Sequence, residues 1–385
     1  MKKSFQFFSQ REALTGRNSS AQGAALGQKQ NGISPERAKP TSVALSGLND
    51  CRSITTRGRA PGFRIARLQR FGAGTFTWLH RATITRYIFT FLLAALTTAT
   101  AFAKLNVVAT TPDFGALAQQ IGGDKVDVFT IARPTEDPHF VDAKPSFVVK
   151  LNRADALIEG GAELESGWLR ALLDKARNSK LEHDKPGRIV AHEGVQLLEV
   201  PATLDRAKGD VHAAGNPHFT TDPLNAKIVA GHIANAFSHL DPKSASVFQA
   251  NLDKFNREID AKIPEWMKRL APLKGKRVVA YHNAWPYFAK RFDVRIDLFL
   301  EPKPGIPPSP SHLAGVVSTM KSEGVKIILV EPFRDRRYAE TLASHAEAVV
   351  LDVAFVPGAK GAGDTYIDWM DKIVSSLVNA AEGKK

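Results

Sequence analysis

The sequence predicts an α/β protein of two lobes, each built on a parallel sheet, joined by one long helix with a ligand cleft between them. Three observations carry this reading. Short apolar runs alternate with helical periods through residues 104–240, and the alternation resumes through residues 272–385. Between them, within residues 241–271, apolar residues recur at helical spacing: Phe248, Leu252, Phe255, Ile259, Ile263, Trp266 and Leu270. At 1.5 Å per residue the stretch from Pro242 to Leu270 would reach roughly 43 Å, longer than one lobe needs, so it links two. Pro264 is expected to bend it.

Residues 106–111 read as a buried strand, Asp113 as the cap of a helix to Ile121, and residues 126–131 as a second strand. Helical stretches at 146–152 and 164–177 flank a strand at 156–159, and residues 188–191 give a fourth. Thr221 or Asp222 can cap a helix that opens at Pro223 and carries Leu224, Ile228, Val229, Ile233 and Phe237. Beyond the linking helix, strands are expected at 277–281, 294–299, 325–330 and 348–351.

The 385 residues carry a formal net charge of +13, but residues 1–103 hold 15 Lys or Arg against 3 Asp or Glu. The rest of the chain is nearly neutral and shows no basic stripe, which removes nucleic acid as a partner. Arg81 and Arg86 precede an apolar run from Tyr87 to Leu96 that ends in small residues and Ala101-Phe102-Ala103. Residues 81–103 therefore read as a secretory signal peptide cleaved near Ala103, since a membrane span needs about 20 apolar residues. Residues 1–80 are basic, polar and aperiodic, a composition expected to be disordered, and they suggest a start codon assigned too far upstream. The single cysteine, Cys51, lies there, leaving the exported part without thiolate ligands and without a lipid-anchor cysteine at the cleavage point.

Two turns repeat one pattern. Asp137-Pro138-His139-Phe140 and Asn216-Pro217-His218-Phe219 each present one imidazole on a proline-stiffened turn, and each precedes a proline-led helix start. In open α/β sheets, ligands bind beyond the carboxyl ends of the strands. That rule selects His139, His282 after the strand ending at Tyr281, and Asp352 at the end of the last strand, with His218 on a loop entering a helix. Three imidazoles and one carboxylate, drawn from both lobes, would close a tetrahedral site suited to zinc. Glu331 and Glu136 compete as a fourth ligand or as acceptors that orient a ring N–H, and His212 is a candidate for metal recruitment.

These residues, with Tyr281-His282 before Tyr287-Phe288 and the stretch from Leu300 to Ser311, resemble the metal-binding solute-binding proteins of zinc and manganese ABC importers, zinc-type. The resemblance covers about residues 104–385. It implies two α/β lobes on a rigid helix, and a monomer that captures Zn(II) as transported ligand and delivers it to a membrane permease. The signal peptide and the lack of an anchor cysteine at the cleavage point make the expected location the periplasm, not membrane-anchored. The resemblance makes the chain a carrier, not an enzyme. It also implies His139, His218 and His282 as ligands, with Asp352 matching a late aspartate although Val353-Ala354-Phe355 departs from the usual pattern. Manganese-binding relatives generally place Glu where this chain has His282, and a third imidazole favours zinc. The alternatives are a carrier of another divalent metal such as manganese, an adhesin, or a zinc hydrolase using Glu136 or Glu331 as base.

Overall fold

The structure, a computed structural model, describes residues 104–202 and 212–384. The expected leader, the signal peptide and Cys51 lie outside the described residues. Runs of β-branched and aliphatic residues form β1 (Leu105–Ala109), β2 (Val126–Thr130), β3 (Ala156–Glu159) and β4 (Arg188–Val190). Between them lie α1 (Pro112–Gly122), α2 (Pro145–Arg153) and α3 (Leu169–Ala176), and α4 (Pro223–Leu240) follows. A single 3-10 turn then leads into α5 (Ala245–Leu270). The second lobe comprises β5 (Arg277–Ala280), α6 (Pro286–Phe292), β6 (Arg295–Phe299), α7 (Pro310–Glu323), β7 (Ile327–Val330), α8 (Arg336–Ala346), β8 (Val349–Asp352) and α9 (Tyr366–Ala381).

The lobes repeat one topology. All pairings are parallel, in the order β2-β1-β3-β4 in the first sheet and β6-β5-β7-β8 in the second. Each sheet thus reverses direction beside its first strand, the place where open sheets leave a crevice. Strand alternation sorts the side chains. Val107 and Ala109 face one apolar core while Val108 faces another, and Val278 and Ala280 are separated from Val279 in the same way. The largest core runs through both lobes, with Phe248, Phe255, Ile259, Trp266 and Leu270 of α5 and Trp369 and Ile373 of α9 joining the two sheets. Continuity of that core fastens the lobes to each other.

Helix α5 carries on through Pro264, whose exposed ring lies opposite the buried Trp266 face. Its missing N–H falls on the solvent side, where loss of one ladder bond is least costly. One expected cap differs. The N-cap of α1 is Thr111, and Asp113 lies inside the first turn, buried, where its carboxylate accepts from the hydroxyls of Thr111 and Thr220, the latter at 2.6 Å. Burial raises its pKa. The helix expected from residue 164 starts at Leu169, because Ala162 and Glu163 have left-handed backbones and Glu165 turns inward. Among the described residues no helix is long and apolar enough to cross a membrane.

Candidate metal centre

Both proline turns are built alike. The Oδ1 atom of Asp137 accepts the backbone N–H of His139 at 3.0 Å, and Oδ1 of Asn216 accepts that of His218 at 3.0 Å. An Asx side chain bonded two residues ahead, with proline between, fixes the turn on which each imidazole stands. The first turn is held further by Trp168, whose indole N–H donates to Pro138 O at 2.9 Å. For the second, Tyr287 Oη donates to Asn216 O at 2.6 Å, and Asn216 Nδ2 donates to Glu199 at 3.0 Å and to Asn283 O at 2.9 Å. Just beyond it, Asp222 caps α4 through Leu224 N and takes both arms of Arg291 at 2.8 Å.

His282 lies two residues past β5, at the crevice of the second sheet, and its backbone carbonyl accepts from Ala284 N at 2.9 Å. Its Nδ1 lies 2.7 Å from Oε2 of Glu301, which follows β6 in the same way. That contact presents Nε2 as the free lone pair. In the first sheet the equivalent crevice is plugged. Glu165 accepts from Thr110 Oγ1 at 2.6 Å and Gly160 N at 2.7 Å, and burial pushes its pKa up to about 7.

The three imidazoles converge. Ligand atoms of His139, His218 and His282 all lie within 4.8 Å of one another, and the Nε2 atoms of His139 and His218 are 3.3 Å apart. Donors on a tetrahedral zinc with bonds of 2.0–2.1 Å would be separated by roughly 3.3 Å, so the array is near that size. His218 and His282 are buried and His139 is half-buried. Burial holds the pKa values of His139 and His218 well below the usual imidazole value, with neighbouring His rings and Arg334 adding to the effect. These two rings are therefore neutral lone-pair donors at physiological pH, the form a metal needs.

The carboxylates expected beside them are arranged differently. Asp352 ends β8 at 72% side-chain exposure, ion-paired with Arg336, and is not brought to the three histidines. The chain reaches the site three residues later with Phe355, whose ring packs edge-on against His218 at 5.6 Å. Glu136 turns away to Arg133, accepting its N–H at 3.0 Å, and orients no ring. Glu331 is 1% exposed. Its Oε1 takes the indole N–H of Trp285 at 3.2 Å, its Oε2 is buried without a hydrogen-bond partner, and burial raises its pKa. The residue that orients a ring is Glu301, which the strand-end rule applied to β6 would have flagged. His212 stacks on His139 with ring centroids 5.1 Å apart, and lines a cavity of about 360 Å³ with Glu199, Asn216, His218, His282 and Asn283.

Two lobes with three convergent imidazoles in the cleft between them define a divalent-metal-binding protein of the solute-receptor class. A family model described as "ZnuA: Zinc-uptake complex component A periplasmic" matches residues 107–380, and the chain belongs to this family of metal-binding proteins of zinc and manganese ABC importers. It is a solute-binding component, not an enzyme. The chain is 25% identical over 291 residues to the metal ABC transporter substrate-binding lipoprotein ScbA of Streptococcus cristatus, covering 74% of this chain and 91% of that protein. It is 25% identical over 286 residues to the manganese ABC transporter substrate-binding lipoprotein PsaA of Streptococcus mitis, covering 71% and 89%. In fold it is similar to a crystal structure of ZnuA, with a TM-score of 0.60 at 22% identity over 72% of this chain and 99% of that one. It is also similar to a manganese-bound periplasmic metal-binding protein from Candidatus Liberibacter asiaticus, with a TM-score of 0.59 at 23% identity, covering 72% and 99%. Both sequence relatives are lipoproteins, so the expectation of an unanchored chain gains no support from them.

Proposed function

We propose that this chain is a zinc receptor: exported to the periplasm after cleavage near Ala103, it captures Zn(II) on His139, His218 and His282 and delivers it to the permease of an ABC importer. The observation that supports zinc is the identity of the third donor. His282 is an imidazole whose Nδ1 is held by Glu301 at 2.7 Å, so the second lobe offers nitrogen where a manganese site would offer oxygen. With no carboxylate of Asp352 in reach, a fourth position is left for solvent or for Glu331, whose buried Oε2 has no other partner. His212, stacked on His139 at the cavity wall, would hand the ion inward.

Competition between zinc and manganese for the metal-free chain, read with a chromophoric chelator, tests this. One zinc per chain that manganese displaces only at large excess is the expected result. Equal or better manganese binding would contradict it, and would assign the chain to the manganese carriers that its sequence relatives include.

A further inference from the structure

Arg334, on the loop after β7, joins the two halves of the site. Its Nη2 lies 3.2 Å from Oδ2 of Asp137 in the first lobe, and its Nη1 lies 3.0 Å from Oε1 of Glu301 in the second. Each of those carboxylates uses its other oxygen on a histidine. Asp137 Oδ1 accepts the backbone N–H of His139, and Glu301 Oε2 meets Nδ1 of His282. A continuous chain of hydrogen bonds and ion pairs therefore runs from the His139 backbone through Asp137, Arg334 and Glu301 to the His282 ring. Its members are well covered, at 14% side-chain exposure for Arg334 and Asp137 and 6% for Glu301. The guanidinium is sandwiched near the rings of Tyr281 and Phe333, with its carbon 5.7 and 5.2 Å from their centroids.

We propose that Arg334 is a positioning residue that latches the His139 turn to the second lobe and so sets the rate at which the bound cation leaves. This rests on the reading of the three histidines as the metal site. A fork that grips one carboxylate from each lobe holds a fixed distance between them, which a point charge such as lysine does less well. Parting His139 from His282 requires the Arg334–Asp137 pair to break where little water is at hand to replace it. An arginine so placed acts on dissociation far more than on association, because short-range contacts between desolvated charges govern off-rates. The competing explanation is that Arg334 only neutralises two covered carboxylates. In that case its loss would lower stability and leave release unchanged.

The test is zinc release from the loaded full chain into excess chelator, followed by stopped flow, for wild type, Arg334→Met, Arg334→Lys, Asp137→Asn and the Arg334→Met/Asp137→Asn pair. Asp137→Asn keeps the turn, since asparagine serves at the matching position of the second turn, and replaces the charged Oδ2 that Arg334 grips with an NH2 that cannot accept. Release at least about tenfold faster in Arg334→Met and in Asp137→Asn is expected, with Arg334→Lys intermediate and the double variant no faster than about twice the faster single. Wild-type release rates in both single variants, or effects that multiply in the double, would overturn the latch. A His218→Ala control separates the two failures. Zinc that His218→Ala loses while Arg334→Met releases normally overturns the latch alone, whereas a wild type that holds no zinc removes the metal reading beneath it.

Discussion

The two proline-histidine turns share a sequence pattern and a hydrogen bond, yet they differ in how firmly the rest of the molecule holds them. The His218 turn is buried throughout and tied across the cleft by Tyr287 and Asn283, with Arg291 clamping Asp222 just beyond it. The His139 turn ends in Phe140 at 65% exposure, and it reaches the second lobe through the pair between Asp137 and Arg334. The same Asx-Pro-His turn thus yields one donor fixed in the core, on a neutral asparagine, and one at the rim, on an aspartate that pairs with Arg334. Such an asymmetry would let release begin at the rim without dismantling the core.

Removing the fixed donor should have the largest effect. His218→Ala should lower zinc affinity by about 100-fold or more in chelator competition, since each ligand carries a substantial share of the binding free energy of a zinc site. Next comes the support of the second-lobe donor. Glu301→Gln should cost about 10- to 100-fold in affinity, the usual effect of losing the group that orients a metal-bound histidine, while the metal-free protein stays folded.

Acid acts more gently, and its sign follows from burial. The folded pKa values of His139 and His218 lie well below the unfolded value of 6.5. Unfolded chains therefore bind more protons in this window, so the contribution of both rings is fully present above about pH 6.5 and is lost as pH falls towards the lowered folded values. Urea midpoints of the metal-free protein should drop on acidification below about pH 6.5, and the drop should be shallower in His218→Ala. For these two rings the competition between protons and zinc also sets in at a lower pH than about 6, where ordinary imidazoles would begin to lose metal. The smallest effect belongs to Asp352. Asp352→Ala should leave zinc affinity unchanged and alter stability by no more than about 0.5 kcal/mol, as for an exposed surface pair.

Much of this was legible in the sequence. The alternation of strands and helices, the linking helix with Phe248 to Leu270 on its buried face, and the echo of the two turns all rest on local periodicity and turn chemistry, which a chain carries in the open. Strand ends pointed to His282 for the same reason. Asp352 was misplaced because the strand-end rule gives a position along the chain and not the direction of a side chain. One step of the β alternation sends it to Arg336 and solvent, and the site is met by Phe355 instead. Glu136 and Asp137 are neighbours, and only the Asx turn decides which of them serves His139. Arg334 was invisible because its partners lie 197 and 33 residues away in sequence, at Asp137 and Glu301, and a tertiary ion pair leaves no periodic trace.

Whether both lobes close the site can be read from X-ray absorption at the zinc edge of the loaded chain, beside His282→Ala. Three imidazole scatterers at about 2.0 Å, falling to two in the variant, would support a site closed by both lobes. Two or fewer imidazoles in the wild type would contradict it, and a spectrum unchanged by loss of His282 would confine the metal to the first lobe.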